Sequence, residues 1–288
     1  MRNKQNLNNI TVIVRTLNEE KNIVDCIQSI KKSGIKNILV VDGNSKDKTI
    51  EIVKKLKVKY LISDRKGIAY QGYLGVKNVK TRYLAIIDAD MRTTKKSFEL
   101  MEKDLKKSKF AGVEANIISG SKENNYFDNA YQAIMDININ KKGPRNMIGS
   151  PTLFVTKILQ KTNFDPYFTG PSDDTDLCYR LCKLGYMFGG SDAQVKHIHR
   201  NTTSSIARKY IWYGKGDAQF ILKHPERTLS ILKHQIFNYP IKFGFFALIK
   251  LKIIYIPFMF MAGYLRFFGM IFFLLQKMIG LQEKIYRT

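Results

Sequence analysis

A short apolar run, Tyr83-Leu84-Ala85-Ile86-Ile87, ends abruptly in two carboxylates one residue apart, Asp88 and Asp90, and this junction constrains the chain more than any other stretch. The run has the length and unbroken apolar character of a parallel strand buried on both faces. Asp88 and Asp90 then stand at its carboxyl end, where open α/β sheets bind their ligands. Two hard oxygen ligands at the edge of a cleft suit Mg²⁺ or Mn²⁺, whose shell is commonly completed by substrate phosphates. A plainer reading is a helix cap, because Asp, Ser and Thr favour helix starts and a helical pattern begins near Thr93.

The same sequence of strand and then acid recurs upstream. Ile10 to Val14 predicts a first buried strand, followed by polar Arg15 to Glu20 and a helix from Asn22 to about Lys32. Asn37 to Val41 predicts a second strand ending at Asp42-Gly43-Asn44-Ser45, then a helix from Thr49, a third strand over Lys59 to Ile62, and a helix from Gly67 to Val79. Strands alternating with helices of this length imply a parallel sheet with right-handed crossovers. Three strand ends then meet on one edge, carrying Thr16 and Glu19, Asp42, and Asp88 with Asp90. Such an edge suits a nucleoside diphosphate. Asp42 accepts from base or ribose, Arg65 neutralises phosphate, and an ion at Asp88 and Asp90 bridges the diphosphate oxygens. No Gly-x-Gly-x-x-Gly follows the first strand and no Walker-type Gly-Lys-Ser/Thr occurs, which disfavours ordinary dinucleotide and P-loop chemistry.

Charge narrows the partners. Lys and Arg total 48 against 24 Asp and Glu, a formal net charge of +24, which calls for an anionic partner such as nucleic acid, an acidic membrane or phosphorylated substrates. A biased genome, rich in Lys, Ile and Asn codons, is the competing explanation. Three cysteines make no disulfide framework and point to a reducing compartment. Polar Met1 to Asn9 predicts no secretory leader.

Three motifs in order carry a resemblance. Val12-Ile-Val-Arg-Thr-Leu-Asn-Glu-Glu20 resembles the opening Pro-Thr-x-Asn-Glu segment of the family 2 glycosyltransferases. Val40-Val-Asp-Gly-Asn-Ser-Lys-Asp-Lys-Thr49 resembles their Val-Asp-Asp-Gly-Ser-x-Asp-x-Thr segment, and Asp88-Ala-Asp90 their Asp-x-Asp motif. Arg15 stands where that family usually has Pro, and Gly43 where a second Asp is common. The resemblance covers roughly Ile10 to Gly216. It implies an α/β GT-A fold: a single nucleotide-binding domain with a mixed, mostly parallel sheet, a nucleotide-sugar donor, and a divalent metal, Mn²⁺ or Mg²⁺, on Asp90 with Asp88 beside it. On this reading Thr16, Glu19, Asp42, Arg65 and Asp88 contact the donor.

The resemblance extends into the second half. Asn146-Met-Ile-Gly-Ser-Pro-Thr-Leu-Phe-Val155 is similar to the family segment lining the acceptor side of the cleft. Ser172-Asp-Asp-Thr-Asp-Leu-Cys-Tyr-Arg180 resembles the family's Glu-Asp-x-Asp-Leu-x-x-Arg helix start, so Asp173 stands for the Glu and Asp174 for the general base of an inverting transfer. These residues also suit a helix cap, and both roles are compatible. Lys196-His-Ile-His-Arg200 resembles the segment whose His completes the metal or phosphate site; His197 fits the spacing better than His199, which would share its strand face. Arg208 to Gly216, with Trp212 and Lys215, resembles the basic, aromatic segment that closes over donor and acceptor.

From Ile236 the composition changes. Asp and Glu are absent from Arg227 to Leu281, and Ile253 to Leu275 is long enough to cross a bilayer, interrupted by Pro257 and Arg266. A spanning helix, a re-entrant hairpin, interfacial helices and a buried helical pair all compete. The expected organisation is a catalytic domain over 1–225 and a membrane-associating helical segment over 226–288, on the cytoplasmic face of an anionic membrane. The expected function is metal-dependent transfer of a sugar from a nucleoside-diphosphate-sugar donor to a lipid-linked or membrane-surface acceptor, as in polysaccharide or glycolipid biosynthesis, with no nucleic-acid partner. The alternatives are a basic nucleic-acid-binding or scaffold protein on a degenerate nucleotide fold, in which the acids are scattered caps, and a nucleotidyltransferase.

Overall fold

The computed structural model describes residues 7–120, 125–138, 140–198 and 202–280. In chain order the elements begin with β1 (Ile10–Thr16), α1 (Ile23–Lys32), β2 (Asn37–Asp42), α2 (Thr49–Lys55), β3 (Lys59–Ile62), α3 (Ile68–Lys77), β4 (Tyr83–Asp88), β5 (Met91–Thr93) and α4 (Ser97–Lys107). They continue with β6 (Gly112–Ser119), α5 (Tyr126–Asn138), β7 (Gly143–Arg145), β8 (Thr152–Val155), α6 (Thr156–Thr162), α7 (Asp173–Lys183) and β9 (Phe188–His197). The last are the helices α8 (Thr203–Lys223), α9 (Thr228–Leu232), α10 (Gly244–Ile249) and α11 (Ile256–Met278), with a π-helical stretch, Lys233–Phe243, joining α9 to α10.

Contacts divide the chain into two units: the described residues of 1–120, 139–167 and 174–199, and those of 121–138, 168–173 and 200–288. This partition is not the linear one at 225/226, since α5 and α8 belong with the apolar C-terminal helices.

The first unit is built on one mixed sheet in the order β3-β2-β1-β4-β8-β6-β9-β5, with β7 paired to β9. The longest ladders are parallel, with six registered pairs each in β1–β2 and β1–β4 and seven in β6–β9. Strands β1 and β4 read as apolar runs because helices cover both of their faces. Val12 and Val14 join Ile27 and Ile30 of α1 and Phe98 of α4 on one side. Ile13 joins Val76 of α3 and Leu177 of α7 on the other, as the two-residue period of a strand requires.

No helix starts at Thr93. Met91–Thr93 is a strand, antiparallel to β9 with Met91 opposite His197, and the next helix begins at Ser97. The capping reading of Asp88 and Asp90 therefore falls, because a cap needs a helix directly after it. Three residues are too few for a periodic signal, and their partner lies about a hundred positions downstream. In the second unit α8 and α11 are the long helices, and Arg208 to Gly216 is helical throughout as part of α8.

Candidate active site

The ends of β1, β2 and β4 lie level. Thr16 is opposite Asp42, and Arg15 is opposite Asp88. Asp42 is fully buried and closes its own turn, with Oδ1 accepting from the Ser45 N–H at 2.7 Å and Oδ2 from the Ser45 hydroxyl at 2.5 Å. The Thr16 carbonyl accepts from the Gly43 N–H at 2.8 Å and from Gln71 Nε2 at 2.7 Å. A Cβ on Gly43 would lie 2.5 Å from Gln71 Nε2, so the buried Gln71 occupies the space that a side chain at position 43 would take. Glu19 sits on the loop after β1, its N–H on Thr49 Oγ1 at 2.8 Å and its Oε2 on Asn22 Nδ2 at 2.7 Å. Arg65, exposed after β3, stacks between the rings of Tyr70 and Tyr167, 5.3 and 5.8 Å from their centroids.

Arg15 changes the meaning of the first acid. It is buried, and both Nε and Nη2 reach Asp88 Oδ1 at 2.9 Å. A Pro here offers no such partner, so the charge of Asp88 is balanced from the neighbouring strand. Asp90, two residues on, meets a different neighbour. The Ile198 N–H donates to the Asp90 carbonyl at 2.9 Å, which brings the end of β9 alongside and sets His197 Nε2 3.3 Å from Asp90 Oδ2. His199 lies outside the described residues. Among the described residues no three His, Cys, Asp or Glu side chains form a ready-made cation cage. The donor set still fits an ion carried partly by substrate: a carboxylate and an imidazole stand 3.3 Å apart, and phosphate oxygens complete such a shell.

Asp174 is the second residue of α7. Its Oδ1 accepts from the Thr175 N–H at 2.7 Å, and its Oδ2 faces Gly149, where a Cβ would lie only 2.6 Å away. Asp174, Gly149, Ser150, Thr152 and Arg15 line one small cavity, and Arg15 is the same residue that holds Asp88. Asp173, Trp212 and Lys215 belong to the second unit. Asp173 is buried, Trp212 packs on Tyr213 with ring centroids 5.9 Å apart, and the Lys215 ammonium lies 5.4 Å above the Phe273 ring.

Sequence reasoning missed Glu114 and Arg145. Glu114, on the interior strand β6, is ion-paired to Arg145 of β7, and its Oε1 accepts from the Gly149 N–H at 2.9 Å. It thereby fixes the loop that faces Asp174. The signal was a lone carboxylate inside the apolar strand Gly112–Ser119. Burial pushes its carboxyl from 4.5 up to about 7, outweighing the Gly149 N–H and Arg145, and the neighbouring Asp174 charge pushes the same way. A folded value above the unfolded one gives a stability contribution that is complete below pH 4.5 and lost as pH rises to about 7. The expected slope is on the order of 1 kcal/mol per pH unit in that window. Urea unfolding at a series of pH values should show it in the natural protein and show it flattened in Glu114→Gln; equal slopes would remove Glu114 as the cause.

Residues 11–165 match the family model described as Glycosyl transferase family 2. An uncharacterized glycosyltransferase of Rickettsia conorii is 24% identical over 204 residues, 68% of this chain and 34% of that protein. The dolichyl N-acetyl-alpha-D-glucosaminyl phosphate 3-beta-D-2,3-diacetamido-2,3-dideoxy-beta-D-glucuronosyltransferase of Methanococcus voltae is 30% identical over 95 residues, 29% of each chain. The matches thus span about a third or less of these two relatives' own lengths. Glucosyl-3-phosphoglycerate synthase from Mycobacterium tuberculosis, solved in complex with Mn²⁺, UDP and glucosyl-3-phosphoglycerate, shares 15% identity and a TM-score of 0.55 over 74% of this chain and 78% of its own. At that identity the likeness establishes the GT-A fold. Because the family match runs from β1 through β8 and takes in more than half of the sequence, the chain belongs to glycosyl transferase family 2.

Proposed function

We propose that this protein is an inverting glycosyltransferase that moves a sugar from a nucleoside diphosphate to a lipid-linked or membrane-surface acceptor. The observation that carries the reading is the approach of His197 Nε2 to Asp90 Oδ2, 3.3 Å, just past the carboxyl end of β4, whose last residue Asp88 is level with the ends of β1 and β2. A nucleic-acid-binding or scaffold protein whose acids merely cap helices would have no reason to gather them there.

Asp90 and His197 would hold Mn²⁺ or Mg²⁺, which when bound neutralises charge on the departing diphosphate. Asp42, Thr16 and Glu19 lie along the same edge for the nucleoside, and Arg65 offers a cation to phosphate. Arg15 orients Asp88 through its two contacts with Oδ1. Asp174 takes the proton of the acceptor hydroxyl as its oxygen bonds to the anomeric carbon, while the bond from that carbon to the diphosphate oxygen breaks on the opposite side. The Mn²⁺ and UDP in the Mycobacterium tuberculosis structure and the lipid-linked acceptor in the name of the Methanococcus voltae enzyme support donor and acceptor classes of this kind.

Thermal-shift measurements against UDP-, GDP-, CMP- and dTDP-sugars, each with Mn²⁺ and with EDTA, test the donor site, because a ligand at a hundred times its Kd adds about 2.7 kcal/mol of apparent stability. One nucleotide series should stabilise the protein only with the metal. Asp90→Asn should weaken that binding by at least about 100-fold, more than loss of a typical outer-sphere partner. An Asp90→Asn protein that binds donor with Mn²⁺ as the natural protein does would overturn the metal assignment.

A further inference from the structure

Helix α11 has the length and composition of a bilayer span: an 18-residue window within Ile253–Met278, which takes in the turn before the helix, has a mean hydropathy of 1.9. Three features of the second unit oppose a crossing. The first is at the middle of the helix, where Arg266 donates through Nε and Nη2 to the two carboxylate oxygens of Asp217 on α8, the latter bond being 2.7 Å. The two helices touch backbone to backbone at that level. A Cβ on Gly214 would collide with the Arg266 carbonyl, and one on Gly269 with the Ile211 carbonyl. A crossing α11 would therefore carry α8 into the bilayer, with Arg208, Lys209, Lys215 and Asp217 along its length. Charged side chains at that depth are costly and face protein or water-filled cavities.

The second feature lies just before α11. Lys252 Nζ is 3.0 Å from Asp136 Oδ2 on α5, and the Tyr126 hydroxyl donates to the Ile254 carbonyl at 3.0 Å. A leading end tied to polar groups of another helix is not free to enter hydrocarbon. The third is the distribution of exposure. Phe260, Tyr264, Phe268, Phe272 and Leu275 are 40 to 62% exposed and recur at the three-to-four-residue period of one helix face. Met259, Ala262, Met270 and Phe273, on the opposite face, are buried. The helix is thus covered along one side and bare along the other.

We propose that the bare aromatic face of α11 lies in the plane of an anionic membrane leaflet, so that the chain is seated on one side of the bilayer and does not cross it. This rests on the reading that the protein works at a membrane. Charge complementarity selects the occupant. No Asp or Glu occurs from Arg227 through Gln282, whereas Lys233, Lys242, Lys250 and Lys277 are exposed. A basic, aromatic-rich helical surface with one apolar face is the pattern of an interfacial helix.

The test places a single Trp on the full chain at Phe260, Phe268 or Leu275, in a Trp212→Phe background, and measures quenching by lipids brominated at shallow or deep acyl positions. The vesicles are phosphatidylcholine with a third phosphatidylglycerol. An in-plane helix gives the same shallow depth at all three positions. A crossing helix puts position 268 about 12 Å from position 260 along the bilayer normal, from eight residues at about 1.5 Å each, and that result overturns the proposal. Vesicle-bound protein with no quenching at any position also overturns it, because another surface then makes the contact. Failure to float with these vesicles at low salt overturns the membrane reading itself, and the in-plane arrangement with it.

Discussion

Asp174→Asn is expected to leave donor binding intact and to slow sugar transfer by about 10²–10⁴-fold, the usual scale of a positioned general base. The substitution keeps the shape of the side chain. Its Oδ1 can still accept from the Thr175 N–H, and nothing larger is forced against Gly149. What it removes is the ability to take a proton, since an amide nitrogen offers no basic lone pair. Stopped-time measurement of nucleoside diphosphate release, with the donor found by thermal shift, checks the rate; the same thermal shift checks binding. A variant with the natural rate ends the assignment of Asp174. A variant that loses both rate and donor binding assigns it to the donor site instead. Gly149→Ala provides an independent handle, because its new methyl must displace the Asp174 carboxylate without altering its chemistry. It should lower the rate less than Asp174→Asn and leave the metal-dependent donor shift unchanged.

Much of the first unit was legible because of how parallel strands are buried. β1, β2 and β4 carry apolar residues on both faces and end in polar turns, so their boundaries read within a residue or two of Ile10, Asn37 and Tyr83. β6 escaped because Glu114 and Asn116 break its apolar run. Both breaks have causes that only the fold supplies: Glu114 bonds Arg145 and the Gly149 N–H, and the strand pairing shifts register between residues 114 and 116. β5 escaped because three residues have no period, yet it is β5 that turns Asp90 toward the end of β9. Motif spacing named Asp90 and His197 separately; their closeness is a property of the pairing of Met91 with His197. Arg15 and Gly43 looked like departures from the family pattern. Arg15 proves to be the partner of Asp88, and Gly43 makes room for Gln71. Neither compensation was visible in sequence, because each involves a residue more than twenty-five positions away. The Arg208 to Gly216 segment resembles a closing segment in its basic, aromatic and glycine-containing make-up, which carries no sign of its secondary structure. Its glycines belong to a helix, and Gly214 is where α8 meets α11.

The Asp217–Arg266 pair should be the most destructive place to cut the second unit. Asp217 is 1% exposed and accepts from Arg266, from Gln235 Nε2 at 2.7 Å and from the Ser172 hydroxyl at 3.3 Å. Removing the carboxylate with Asp217→Leu leaves a buried guanidinium with no counter-charge, takes the acceptor from the Ser172 hydroxyl and leaves Gln235 Nε2 with only the weak Met270 Sδ acceptor at 3.7 Å. Breaking a buried pair from one side costs about 3–5 kcal/mol, most of it the penalty of the charge left behind. Removing both charges together, in Asp217→Leu with Arg266→Met, takes that penalty away and should recover most of the loss, because two well-packed apolar side chains replace a buried ion pair at little cost. Urea or thermal unfolding of the two variants decides the matter. A single variant within about 1 kcal/mol of the natural protein would mean that water reaches Arg266. A double variant as unstable as the single would mean that the pair acts through helix geometry rather than charge. The same comparison bears on function, since Trp212 and Lys215 stand on α8 within five residues of Asp217. If the pair serves to hold that helix, the double variant should regain transfer activity along with stability. If the charges themselves are needed, stability returns and activity does not.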